Sequence, residues 1–190
     1  MLEFIFPPQC GGCRKTGTGM CERCLPRPAI RNFALTTLNV DVLAAYEGRV
    51  RRAVLALKTG RRDVAEAFAD RLSELVSARD ILVPVPTTAA RRRERGFDGC
   101  NLMARRISTQ VGAHAECGLV QIAGDRQRGR NRDSRLAARG RFAWRGRDLS
   151  GVRVTLLDDV VTTGATLEDC AAVLRTAGAR VERAIAIARA

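Results

Sequence analysis

From about residue 41 onward, short apolar runs alternate with stretches whose apolar residues recur every three or four positions. Residues 42–46 and 81–85 are apolar runs of strand length, the second stopped by Pro84 and Pro86. Between them Val50, Val54 and Leu57 share one helical face, and Ala65, Phe68, Leu72 and Leu75 carry the same period into a second helix. Ala104, Ile107 and Val111 mark the inward face of a helix over 102–111. His114 then falls in a loop, and residues 119–122 end another strand. Residues 152–157 read as a buried strand, 167–177 as a helix stopped by Gly178, and 181–187 as a last strand. Strands alternating with helices predict an α/β fold: a mostly parallel sheet with helices on both faces. Residues 124–147 are rich in Arg and Gly, weakly periodic, and predicted to form an exposed excursion.

Residues 1–40 follow a different pattern and read as a small appendage to a domain spanning 41–190. They carry Cys10, Cys13, Cys21 and Cys24 as C-x2-C-x7-C-x2-C, with Pro7, Pro8, Pro26 and Pro28 outside the cysteines. Each C-x2-C turn points two sulfurs at one centre, and four thiolates complete a Zn2+ tetrahedron. The seven-residue gap leaves room for a hairpin through Gly17 and Gly19. Disulfide or redox use, or a knuckle that has lost its metal, are the alternatives. Disulfides are disfavoured in a reducing compartment. A fully thiolate-bound zinc has no open position, so its expected role is folding rather than catalysis. Cys100, Cys117 and Cys170 are scattered and read as small buried residues. The single His114 has no adjacent nucleophile, which leaves no Ser-His or Cys-His pair.

The most specific segment runs from Val154 to Thr166. Four apolar residues are followed by Asp158 and Asp159, then Val160 and Val161, then Thr162, Thr163, Gly164, Ala165 and Thr166 at the start of a helix. In an open α/β sheet, ligands bind beyond the carboxyl ends of the strands. A Thr- and Gly-rich loop at a helix N-terminus offers backbone N–H groups and hydroxyls to a phosphate. Two carboxylates accept hydrogen bonds from a pair of ribose hydroxyls. The thirteen residues resemble, position by position, the motif with which type I phosphoribosyltransferases bind the ribose 5-phosphate of 5-phosphoribosyl-1-pyrophosphate (PRPP). A receiver-like pocket, in which paired Asp residues hold Mg2+, is a rival reading that the Thr-rich loop directly after the acids disfavours.

Composition adds less. At 190 residues with 46% hydrophobic positions, the chain is long enough for one core plus a small appendage. No apolar run approaches 18 residues, so no membrane insertion is expected. The N-terminal run lacks the basic start of a signal peptide, and a cytoplasmic location is expected. The formal charge of +13 comes from 33 basic and 20 acidic residues, and all the basic ones but Lys15 and Lys58 are Arg. Such an excess suits polyanions, whether nucleic acid or phosphorylated small molecules; general solubility is the plainer explanation.

Two cationic segments bear on this. Lys58, Thr59 and Gly60 close the helix that begins near Val50, where Lys and Gly are ordinary helix-end residues. The same residues can bring an ammonium and a backbone N–H to a phosphate. Arg91, Arg92, Arg93 and Arg95 follow a strand end closely enough to clamp a pyrophosphate or a nucleic acid backbone. Their alternative is a solvated helix start.

The four-Cys knuckle, Tyr46-Glu47-Gly48 with Val50, Leu57-Lys58 with Gly60, Val83-Pro84-Val85-Pro86, Arg95-Gly96-Phe97 and the PRPP motif occur in one order. In that order they resemble the ComF family of competence-associated, phosphoribosyltransferase-like proteins along essentially the whole chain. Two departures stand out. Asp98-Gly99 replaces the Asn-Gln common after Arg-Gly-Phe, and a Gln…Arg…Asn…Phe stretch survives only as Gln127, Arg135 and Phe142, with Ala138 near the Asn. The resemblance implies a type I phosphoribosyltransferase-like sheet and a site for PRPP with Mg2+. Asp158 and Asp159 would hold the ribose, residues 161–166 the 5-phosphate, and residues 58–60 with Arg91 and Arg95 the pyrophosphate. It implies either phosphoribosyl transfer to an acceptor or a non-catalytic role with single-stranded DNA and the competence machinery.

Overall fold

The computed structural model describes residues 7–26, 31–122 and 141–190. Its centre is a six-stranded sheet in the order β1-β2-β8-β7-β3-β4. The strands are β1 (Arg31–Ala34), β2 (Asn39–Ala45), β3 (Ile81–Pro84), β4 (His114–Ala115), β7 (Arg153–Val161) and β8 (Arg180–Arg189). Every neighbouring pair is parallel except β1 with β2. Two further strands, β5 (Leu119–Gln121) and β6 (Phe142–Trp144), form a separate antiparallel pair. Helices α1 (Gly48–Lys58), α2 (Arg62–Leu72), α3 (Ala89–Arg95), α4 (Gly99–Val111) and α5 (Ala165–Thr176) complete the order.

Two cores sandwich the sheet. On one face α1, α2 and α4 bury Val54, Leu57, Phe68, Leu72, Met103 and Ile107 against Leu43, Leu82, Leu157 and Ile185. On the other, α5 and the β5–β6 pair bury Leu167, Leu174, Leu119 and Phe142 against Val40, Val83, Leu156 and Ala184. The expected α/β arrangement, a mostly parallel sheet with helices on both faces, is the one observed.

The differences from the sequence reading are local. The first predicted strand starts three residues earlier and ends one earlier, at Asn39–Ala45, and is preceded by β1, whose four residues carry no periodic signal. His114 is in a strand, not a loop, because the chain after Gly112 pairs with β3. Residues 119–121 leave the main sheet for β6. Cys117 is half-buried, whereas Cys100 and Cys170 are buried as expected. The motif strand does not stop at Leu157 but continues through both acids to Val161, and α5 starts at Ala165 rather than near Leu167. Of the predicted Arg- and Gly-rich excursion, residues 123–140, with Gln127, Arg135 and Ala138, lie outside the described residues.

Candidate functional site

A cleft of about 310 Å³ opens at the carboxyl ends of β3 and β7. Lys58, Arg91, Arg95, Asp158, Asp159 and Thr166, singled out along more than a hundred residues of sequence, all line it. Each is placed by a helix end or a strand end. Lys58 is the last residue of α1, which ends because Gly60 takes a φ of +103°. Arg91 and Arg95 are one turn apart on α3, a helix fixed by its caps rather than by burial. Thr88 accepts a hydrogen bond from the Arg91 amide, and Gly96 closes the helix in the left-handed conformation. No residue of α3 is buried.

The acids are divided between the two sides of β7. Successive positions on a strand face opposite ways. Asp159 reaches toward α1, where its Oδ2 lies 3.1 Å from Lys58 Nζ. Asp158 faces the loop, and with Val160, Val161, Thr162, Gly164, Thr166 and Leu167 it lines a smaller hollow of about 30 Å³. Its Oδ1 accepts from the Asp159 amide at 2.8 Å. Burial and then the neighbouring Asp159 charge push the Asp158 carboxyl up to about 7, against the pull of that amide and of Lys58. Thr163 Oγ1 accepts from the Ala165 amide at 3.4 Å, which shapes the turn into α5. Thr59 and Gly60 do not line the cleft; they form the turn behind Lys58.

Some lining residues escaped the sequence reading. Gln121 and Arg141 arrive from the β5–β6 pair, along with Phe142, noted in the sequence only as the end of a partly kept family stretch. Arg141 is paired with Asp169 of α5 at 2.8 Å. Asp98 and Gly99, noted only as departures from the family pattern, have structural roles. Asp98 accepts from the Thr87 amide and from the Asn101 amide, both at 3.1 Å, so it caps α4 and ties it to the loop after β3. A Cβ at Gly99 would stand 2.9 Å from Leu57 Cδ2, so glycine lets α4 approach the end of α1. Cys100 also faces the cleft, its thiol pushed well up by burial and by the charges of Asp159 and Asp158.

The four N-terminal cysteines converge. Their sulfurs all lie within 4.8 Å of one another. Cys10 and Cys13 each stand 3.7 Å from Cys21. A tetrahedron of 2.3 Å Zn–S bonds places its sulfurs about 3.8 Å apart. The amides of Gly12 and Cys21 both donate to Cys10 Sγ at 3.4 Å. Burial opposes ionisation of Cys10, but these amides and that of Cys13 outweigh it and bring the thiol down to about 6. Cys24 is pushed the other way by burial and by its sulfur neighbours. The donor set and spacing fit a metal, and four sulfurs fit zinc better than a hard cation.

The fold and cleft define an α/β protein whose candidate site lies at the carboxyl edge of a parallel sheet. No protein-family model matches the chain. It is 27% identical over 178 residues, 90% of its length and 72% of the relative's, to competence protein ComFC of Bacillus subtilis (strain 168). It is 26% identical, over 90% of its length and 78% of the relative's, to DNA utilization protein YhgH of Salmonella typhimurium (strain LT2). Both relatives bear out the resemblance to the ComF family along 90% of the chain. Among solved structures it is similar to the allosteric regulatory enzyme of purine biosynthesis, with a TM-score of 0.42 and 20% identity over 68% of this chain and 26% of that one. No helix among the described residues is long and apolar enough to cross a membrane.

Proposed function

We propose that the cleft binds PRPP or a related phosphorylated ribose with Mg2+, and that the protein transfers the phosphoribosyl group to an acceptor. The observation that carries this reading is the meeting of both acids, Thr166, Lys58, Arg91 and Arg95 around one cleft, with the Thr-Gly loop lining an adjoining hollow that shares Asp158 and Thr166. Asp158 and Asp159 accept from the ribose hydroxyls. Val161, Thr162, Thr163, Gly164, Ala165 and Thr166 cradle the 5-phosphate at the start of α5. Lys58, Arg91 and Arg95 face the pyrophosphate, and the turn at Thr59 and Gly60 supports Lys58 from behind. Mg2+, when bound with the ligand, supplies positive charge to the leaving pyrophosphate. The chain's own cations hold the same group in place, so positioning and electrostatics carry the rate without a protein nucleophile. Cys10, Cys13, Cys21 and Cys24 would hold one Zn2+ in a structural role. Isothermal calorimetry with PRPP and Mg2+ tests the site, and a screen for pyrophosphate release with and without candidate bases tests transfer. Absence of heat at millimolar PRPP removes the ligand reading.

A second reading is favoured by the names of the relatives, a competence protein and a DNA utilization protein. It is also favoured by α3, where Arg92 and Arg93 are exposed and make no ion pair among the described residues. In this reading the protein contacts single-stranded DNA. A contact to several phosphates gives a log–log salt slope near −0.7 per phosphate on single strands. Fluorescence anisotropy at low and physiological salt measures it, and no binding at low salt removes the DNA contact.

A further inference from the structure

The four-Cys knuckle is packed against α1, which ends on Lys58, and α2, which follows after three residues. A Cβ at Gly11 would stand 2.9 Å from Val64 Cγ2 of α2 and 3.4 Å from Ala53 Cα of α1. Arg52 Nε of α1 donates to the Gly12 carbonyl at 2.7 Å. The third tie is Arg61, the residue before α2. Its Nη2 donates to the carbonyl of Gln9, the neighbour of Cys10, at 2.6 Å. Its Nε and Nη2 also hold the two carboxylate oxygens of Asp63, at 2.8 and 2.6 Å. Only Thr59 and Gly60 separate this anchored residue from Lys58.

The far side of the same turn is equally close-packed. A Cβ at Gly60 would stand 3.3 Å from the Arg95 carbonyl. Arg62 lies over the Phe97 ring at 5.4 Å. The turn is therefore held between the knuckle and the end of α3, and it has a cleft cation on each side: Lys58 before it and Arg95 across from it.

We infer that Arg61 is a positioning residue for the cleft, coupling the metal knuckle to Lys58. The inference rests on the reading of the cleft as a sugar-phosphate site. A planar guanidinium that grips two partners fixes a backbone in a way a flexible ammonium does not. A displacement of about 1 Å in a charge-positioning group has large consequences for a bound anion. Without the Arg61 side chain the turn keeps its bonds back to α1, Thr59 N–H to Leu55 at 3.0 Å, Gly60 N–H to Leu57 at 3.1 Å, Arg61 N–H to Ala56 at 3.1 Å and the Thr59 hydroxyl to Ala56 at 2.9 Å, but loses its side-chain tie to the knuckle at Gln9.

The test uses the full chain, with its metal content measured, as wild type, Arg61→Ala, Arg61→Lys, Lys58→Ala and the Arg61→Ala/Lys58→Ala double variant. Amide hydrogen exchange is read first and needs no ligand. Arg61→Ala is expected to raise exchange at residues 59–61 while α5 keeps its protection, with Arg61→Lys in between. Affinity for PRPP·Mg2+ is read second by calorimetry. Arg61→Ala is expected to bind about tenfold more weakly. In the Lys58→Ala background the same change is expected to cost nothing further, because Arg61 acts through Lys58. Unchanged exchange at 59–61 overturns the coupling, as does an undiminished loss in the Lys58→Ala background. If wild type gives the expected exchange contrast yet binds no PRPP, the ligand reading falls and the mechanical coupling stands.

Discussion

Lys58 Nζ and Asp159 Oδ2 are 3.1 Å apart across the mouth of the cleft, joining the end of α1 to the end of β7. Both groups are partly open to water, so the pair contributes little to stability by itself. Its weight lies in the ligand it would meet, since a pyrophosphate competes for the lysine and a ribose for the carboxylate. The double variant Asp158→Asn/Asp159→Asn is expected to weaken PRPP·Mg2+ binding at least tenfold, about 1.4 kcal/mol, with circular dichroism unchanged. Calorimetric affinity equal to wild type would remove the ribose assignment.

Asp158 makes stability depend on pH. Its carboxyl is raised from 3.8 to about 7, by burial first and by Asp159 second. Between about pH 4 and pH 7 the folded chain therefore holds a proton that the unfolded chain has lost. The sign follows: this group's contribution is fully present below about pH 4 and is lost as pH rises through 7. Melting temperatures of wild type minus those of Asp158→Asn are expected to fall steadily from pH 4.5 to 7.5. A flat difference over that range would contradict the assignment.

The knuckle is expected to carry about one Zn2+ per chain, measured by elemental analysis of protein purified without chelator. Cys24→Ser should release the metal and lower the melting temperature, because Cys10, Cys24 and Met20 are part of the core shared with α1 and α2. A metal-free chain with four reactive N-terminal thiols and an undiminished melting temperature would refute the site.

Gly164 is constrained twice. Its φ is +81°, and a Cβ there would stand 2.5 Å from Leu35 Cδ1 on the β1–β2 connection. Gly164→Ala is expected to cost about 1–2 kcal/mol from backbone conformation alone, lowering the melting temperature by roughly 2–8 °C. Leu35→Ala in the same chain removes the collision but not the backbone cost, so it should restore part of the loss. Full restoration would mean that the conformation is free, and no restoration that the collision is relieved in another way.

The sequence showed most clearly what is local. Asp158 and Asp159 stand out because four apolar residues precede them and a Thr-Gly loop follows, and one strand and one turn suffice to place them. The helices of the α1/α2/α4 face were readable because their buried positions repeat at 3.6 residues. What arrives from a distance was not readable. Gln121 and Arg141 reach the cleft through a two-stranded ribbon with no repeating pattern. Asp98 reads as a departure from a family pattern until its two backbone partners are known. Arg61 looks like any charged residue between two helices, because a carbonyl acceptor fifty-two positions away leaves no mark on sequence. The acids' opposite orientations were missed because the strand was expected to end before them.

The position of β8 within the sheet bears on how the chain reaches this state. β8 follows every other described element, yet it lies between β2 and β7, and its partner Val40 is paired with Ala184. Until residues 180–189 dock, β2 and β7 are two unpaired, apolar edges with a gap between them. Closing a contact across more than a hundred residues makes folding slow and leaves those edges available to other chains meanwhile. The last stretch of chain to be made is thus the one that joins the two halves of the sheet and removes the risk of aggregation.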